Sequence, residues 1–214
     1  MKFALYGAAG MLGRRLAREA LDRGHSVTAL VRHAGKLDFT HASLREVQAD
    51  ARDAADVARQ AAGHDAVIVS ISPRGDGGAD GYLQAVDAVM AGCRAAGVTR
   101  LLWVGGAGSL EVAPGRLLID QPGFPAEYKP EAAAALEALR RFRAVTDLAW
   151  TFASPAALLA PGERRGKFKL GGDQLLTDAK GESRISAEDF AYACVYQLEK
   201  MGKIRQHFTA AYVD

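Results

Sequence analysis

Residues 3–13 restrict what this chain can fold into more than any other stretch. Phe3-Ala4-Leu5-Tyr6 is a short apolar run, and Gly7-Ala8-Ala9-Gly10-Met11-Leu12-Gly13 follows it with the spacing G-x-x-G-x-x-G. Residues 11–23 then carry an amphipathic, helix-forming pattern. Strand, tight turn and helix in that order form the opening unit of a parallel α/β sheet. Glycine lets the backbone of such a turn approach a ligand closely. The helix N-terminus adds free N–H groups and a partial positive charge, which together suit a pyrophosphate. The flanking strand and helix, rather than the glycine spacing alone, make this a dinucleotide site. The expected contacts are Gly7, Ala9, Gly10, Met11, Leu12 and Gly13.

The same unit repeats along the chain. Arg23-Gly24-His25 stops the first helix, and residues 26–31 read as a second strand. A short third strand over 44–47 precedes an Ala-rich helix over 53–62. Residues 66–71 are apolar but for Ser70, the mark of a central parallel strand buried on both faces. A helix over 80–96, a strand over 101–104, a helix over 130–143 and a strand over 148–152 complete the series. Pro130 suits the first turn of its helix. The spacing predicts a Rossmann-type, doubly wound parallel sheet with a small C-terminal substrate lobe, in a single domain over 1–214. The Gly- and Pro-rich segments 105–127 and 154–183 are the expected substrate wall.

Composition excludes several partners. The 27 basic and 25 acidic residues nearly cancel, so neither nucleic acid nor a membrane surface is implied. No apolar stretch approaches the roughly 20 residues that span a bilayer, and the N-terminal segment reads as a strand rather than a signal peptide. Cys93 and Cys194 both fall in helical patterns and read as buried free thiols, which suits a cytoplasmic protein. His25, His33, His41, His64 and His207 lack ligand spacing, so no metal site is expected.

The end of the second strand bears on cofactor choice. An acidic residue about 20 positions past the glycines would hold the 2′-OH of NAD. Here the stretch reads Leu30-Val31-Arg32-His33. Arg32 offers a planar fork of donors to a 2′-phosphate, with Arg14 nearby, so NADP is expected over NAD. Residues 47–53 resemble the third-strand segment whose carboxylate and backbone meet an adenine, which singles out Asp50 and Ala51. Asp53, directly before a helix, reads instead as its N-cap. Ser70, Ile71 and Ser72 fall where the nicotinamide ribose is expected.

The glycine turn, Val31-Arg32, Asp50 and the late run Arg184-Ile185-Ser186-Ala187-Glu188-Asp189-Phe190-Ala191 together resemble the atypical short-chain dehydrogenase/reductases. The resemblance is to the NAD(P)H-binding, NmrA-like group, in the branch that holds biliverdin reductase B and flavin reductase, and it covers nearly the whole chain. It implies a Rossmann fold and a nicotinamide cofactor, and leaves the substrate open. Ordinary members of the wider family carry a Ser on the fifth strand and Tyr-x-x-x-Lys on the next helix. Here Val104-Gly105-Gly106-Ala107-Gly108-Ser109 places glycines where that Ser belongs. Tyr128 is followed at once by Lys129, with Ala132 at the fourth position. The one literal match, Tyr196 with Lys200, lies on the final helix and reads as chance spacing. Tyr128 and Lys129 are therefore the candidate catalytic pair, Glu127 a weaker acid, and Gly106 and Pro155 candidate substrate contacts.

Two functions are consistent with this pattern. One is an NADPH-dependent reductase passing hydride to a small conjugated acceptor, such as a flavin or quinone, that takes its proton from solvent. The other is a non-catalytic NADP(H) sensor of NmrA-like type. A sugar-nucleotide epimerase fits less well, because it needs an intact Tyr-x-x-x-Lys.

Overall fold

The computed structural model describes residues 1–75 and 77–214. Its first half follows the βα repeat: β1 (Lys2–Tyr6), α1 (Met11–Asp22), β2 (Ser26–Val31), β3 (Leu44–Gln48), α2 (Ala54–Ala61), β4 (Ala66–Val69), α3 (Gly78–Ala95) and β5 (Arg100–Val104). A short hairpin follows, β6 (Glu111–Ala113) with β7 (Arg116–Leu117), and then α4 (Lys129–Arg143). The remainder is β8 (Ala149–Pro155), β9 (Leu158–Ala160), β10 (Lys169–Gly171), β11 (Arg184–Ser186), α5 (Ala187–Glu199) and β12 (Gln206–Ala211). The main sheet has eight strands in the order β10-β12-β8-β5-β4-β1-β2-β3. All pairings in it are parallel except that of β10 with β12. The order reverses between β1 and β4, and a ligand crevice opens at such a point.

Alternation along the strands builds two cores. Phe3 and Leu5 of β1 face α1 and α5, while Ala4 and Tyr6 face α2, α3 and α4. β4 and β5 are buried throughout, as expected for central strands covered on both faces. Leu12, Leu16 and Ala20 give α1 one buried stripe. That helix ends where Gly24 takes φ of 79°, with the His25 N–H closing back on the Ala20 carbonyl at 3.0 Å. Asp53 caps α2, accepting from the N–H groups of Ala55 at 2.9 Å and Asp56 at 3.2 Å.

Several boundaries differ from the sequence reading. β4 stops at Val69: the Ser70 N–H makes the last bond to β1, at 3.0 Å to the Tyr6 carbonyl, and Ser70 and Ile71 line a cleft. α3 begins at Gly78 rather than 80, and β8 runs on to Pro155 because β12 pairs beside it. β12 itself has no counterpart in the sequence reading. The turn leading into it holds three non-glycine residues in the left-handed region, Met201, Lys203 and Arg205, with φ of 49°, 52° and 53°. Buried Arg100 secures that turn, donating to the carbonyls of Ala149, Gln197 and Gly202 and to Thr151 Oγ1. Desolvation lowers its pKa to about 10.

The run from Arg184 to Ala191 is a clamp. Ser186 caps α5 through the Asp189 N–H. Glu188 accepts from the Gly162 N–H at 2.7 Å and from Arg15 of α1. Asp189, fully buried, accepts from the N–H groups of Arg165 and Gly166 and from the Tyr212 hydroxyl. The segment 162–166 is thereby pinned against α1 and α5.

Candidate functional site at the strand switch point

The turn after β1 is shaped by close approach. Gly7 has φ of 77°, and a Cβ there would stand 2.1 Å from the Ser70 carbonyl oxygen. A Cβ on Gly13 would stand 2.0 Å from the Gly7 carbonyl oxygen, so α1 packs directly on the turn. The Gly10 N–H donates to that same oxygen at 3.0 Å. Gly10 is also the N-cap of α1 and has no side chain to cap the first turn. The N–H groups of that turn are therefore left for a ligand, at the positive end of the helix.

A cleft of about 1300 Å³ opens over this turn. Gly7, Ala9, Gly10, Met11 and Leu12 line it at the turn, Arg32, Asp50 and Ala51 on one side, and Ser70, Ile71 and Ser72 at the end of β4. Gly106, Tyr128 and Pro155 line its far end. The structure thus gathers these sequence-predicted positions around one cavity. Gly13, Lys129 and the weaker acid candidate Glu127 are not part of the lining. Gly13 serves the helix–turn packing instead, and Lys129, first residue of α4, is exposed away from the wall. Tyr196 and Lys200 also stand away from it, on α5, with the Lys200 ammonium 5.9 Å from the Tyr196 ring centroid.

The two ends of the cleft differ in chemistry. The end beside β2 and β3 carries Arg14, Arg32, His33, Lys36 and Arg52. Arg14 donates to Asp38 and to the Lys36 carbonyl, both at 3.1 Å, which folds residues 36–38 toward the cleft. Arg52 grips the Asp50 carboxylate with Nε at 3.0 Å and Nη2 at 2.7 Å, and this holds the Asp50 carboxyl below its usual value. The sequence reading named Asp50 without that partner. The far end is walled by Leu118, Phe124, Pro125, Pro155, Leu158 and Leu159. Its charges are Arg74 and Glu131, paired at 2.5 Å, with the Arg74 guanidinium 5.3 Å from the Tyr128 ring centroid. Of the segment 154–183, residues 155–159 reach this wall, while the rest runs on to the pinned strap and β10.

Phe152 explains the glycine where a reductase serine was sought. A Cβ on Gly105 would lie 2.0 Å from the Phe152 ring, so no side chain fits there. Behind the wall the hydroxyl groups lie elsewhere. Ser109 Oγ donates to the Gly106 carbonyl at 2.9 Å and lies 3.0 Å from Ser154 Oγ. Ser154 Oγ is 2.9 Å from His207 Nε2, and His207 Nδ1 is 2.8 Å from Asp173 Oδ1. The His207 hydrogen bond holds the Asp173 carboxyl below its usual value, with Arg143 adding to the effect. Ser109, Ser154 and His207 are all buried, so this chain of contacts braces the wall from behind. Sequence reading missed it because its four side chains come from four separated segments. Among the described residues there is no cluster of His, Cys, Asp or Glu that could hold a metal ion, and no helix long and apolar enough to cross a membrane.

A parallel sheet with its crevice at the switch point, a glycine cradle and an open helix N-terminus define a dinucleotide-binding protein of Rossmann type. The cradle, which a Cβ would fill, fits a pyrophosphate. Over residues 7–201 the chain matches the family model described as NAD(P)H-binding, and it belongs to that family. It is 47% identical to a proposed exported protein from Burkholderia pseudomallei, whose crystal structure superposes with a TM-score of 0.91 over 99% of this chain and 100% of that one. A proposed NADH-flavin reductase from Streptococcus pneumoniae is 33% identical, with a TM-score of 0.84 and 99% of each chain covered. YwnB, an uncharacterized protein of Bacillus subtilis, is 37% identical over 98% of this chain and 97% of its own length.

Proposed function

We propose that this chain is an oxidoreductase that uses NADPH to reduce a small conjugated acceptor of flavin or quinone type. The observation that carries the reading is the contrast between the ends of one cleft: cationic beside β2 and β3, largely apolar beside β8. The glycine turn and first turn of α1 hold the pyrophosphate. Arg32 receives the 2′-phosphate, Asp50 and Ala51 border the adenine, and residues 70–72 border the nicotinamide ribose. The nicotinamide supplies hydride chemistry when bound.

The protein's own part is orientation and exclusion of water. Gly106, Tyr128 and Pro155 present a flat surface on which a planar acceptor stacks. Leu118, Phe124 and Leu158 shield it. A conjugated acceptor takes its proton from solvent, consistent with a wall that lacks Tyr-x-x-x-Lys. Tyr128, half-exposed at the mouth, is the hydroxyl nearest such an acceptor, whereas Lys129 remains at the rim. The 33% identity to a proposed NADH-flavin reductase supports the flavin class, and Arg32 is what favours NADPH here. We take the protein to act as a single domain in the cytoplasm.

Titration with NADPH and NADH, followed by a screen of flavins and quinones for oxidation of bound NADPH, tests the reading. Binding of NADPH with turnover of a planar acceptor is expected. Tight NADPH binding with no turnover of any acceptor would instead favour the sensor reading.

A further inference from the structure

Tyr6 ends β1 immediately before the glycine turn, and its hydroxyl is an orphan. The residue is 2% exposed, and its Oη has no hydrogen-bond partner among the described residues. A buried hydroxyl without a partner carries an uncompensated desolvation cost, and native proteins rarely keep one without a use. Phe at this position would keep the ring packing and remove that cost. Yet Tyr6 borders the cleft. Its surroundings include the adenosine side: it shares a core cluster with Leu30, Ala49 and Ala51, and the carboxylates that act on the phenol are Asp56 of α2 and Asp50 and Asp53 of the β3–α2 connection, alongside Cys93 of α3. Burial is the main cause that raises the phenol pKa, with those carboxylates adding to it, so the group stays a neutral O–H donor at ordinary pH.

We infer that the Tyr6 hydroxyl is a recognition group for the adenosine half of the dinucleotide, donating a hydrogen bond to it directly or through one water. The inference rests on the reading of this cleft as a dinucleotide site. It is independent of whether the protein turns over an acceptor. The hydroxyl gains its partner only when the cleft is filled, so the cost of keeping it buried is recovered on binding rather than on folding. The group thus couples occupancy of the adenosine subsite to the stability of β1, the strand that carries the glycine turn.

Tyr6→Phe is the test, read by calorimetric titration with NADPH, ADP and NMN, and by thermal unfolding of the ligand-free protein. NADPH and ADP should each weaken about tenfold, the scale of one hydrogen bond to a buried group, while NMN affinity stays within twofold. The ligand-free variant should melt at the same temperature as the unaltered protein or above it. Unchanged NADPH and ADP affinities in the variant would overturn the inference, as would a lowered melting temperature, which shows a structural partner for the hydroxyl. Failure of the unaltered protein to bind NADPH, NADH or ADP would instead overturn the dinucleotide reading itself, and the inference with it.

Discussion

Arg32 stands where the second strand meets the cleft, and the proposed preference for NADPH over NADH rests on its side chain. A guanidinium meets a phosphate with parallel N–H donors and full charge. Lys36 and Arg14 also border that end of the cleft, and Arg14 is already engaged with Asp38 and the Lys36 carbonyl. Arg32→Ala should therefore weaken NADPH by about 1–3 kcal/mol, the scale of a charge-assisted hydrogen bond, and leave NADH nearly unchanged. Calorimetric titration of both cofactors checks this, and equal affinities in the unaltered protein would refute the preference. Legibility at this scale follows from locality. The glycine turn could be read because positive φ at Gly7 and the contact of Gly13 with Gly7 are demands that only glycine meets. The grip of Arg52 on Asp50 went unread because a two-residue spacing has many geometries, and only the fold selects one. Gly105 is a third case: its absence of side chain answers to Phe152, a residue from a distant strand.

Helices and strands are held to one another here by polar clamps as well as by the apolar cores. Glu19, buried on α1, accepts from Arg23 at 2.6 Å and from Arg164 of the pinned strap at 2.7 and 2.9 Å. Burial pushes its carboxyl pKa up, but the hydrogen bonds from Arg164 and Arg23 outweigh this and hold it below the usual value. A carboxyl depressed in the folded state adds stability above its unfolded value of about 4.3, and that stability disappears as the pH falls through the folded value. Glu19→Gln should cost about 1–3 kcal/mol at pH 7, less than a fully enclosed pair because Arg164 is half exposed. It should also flatten the loss of stability below about pH 4, measured by denaturant unfolding across pH. A steeper acid limb in the variant would contradict the sign. The brace behind the cleft gives a second case. Ser154→Ala leaves the Ser109 hydroxyl and His207 Nε2 without their shared partner, so about 1–3 kcal/mol of stability should be lost, with NADPH affinity within twofold. Thermal unfolding and titration together read both quantities. These clamps explain why the run from Arg184 to Ala191 stands out in sequence while β12 does not. The former packs capping and acceptor groups into consecutive positions. The latter begins after a left-handed turn built without glycine at its strained positions, and its strand character comes from pairing with β8.

The molecule as a whole separates support from chemistry across the sheet. One core joins α1 and α5 to β1, β2 and β12, while α2, α3 and α4 cover the other face. The cleft lies at the carboxyl ends of the strands, between the glycine turn and the loops after β4, β5 and β8. α5, with Tyr196 and the adjoining Lys200, belongs to the supporting side, so the sequence motif that most resembles a catalytic pair does not border the cleft. The alternation of strands and helices made this architecture readable, since each βα unit needs a covered parallel strand beside the last. The choice of catalytic groups was less readable, because Tyr128 and Lys129 are adjacent in sequence and only Tyr128 borders the cleft. Tyr128→Phe keeps the ring beside Arg74 and deletes the hydroxyl alone. With solvent as the proton source, the turnover of a flavin or quinone should fall less than about tenfold, below the 10²–10⁴ of a true general acid. Lys129→Met should change turnover little, and Tyr196→Phe and Lys200→Met not at all. Single-turnover oxidation of bound NADPH, followed at several pH values, separates these cases. A collapse of turnover in the Tyr196 or Lys200 variant, with folding and NADPH binding intact, would move the active site to the other face of the sheet. A loss of a hundredfold or more in Tyr128→Phe would make that hydroxyl the proton donor and displace solvent from the role.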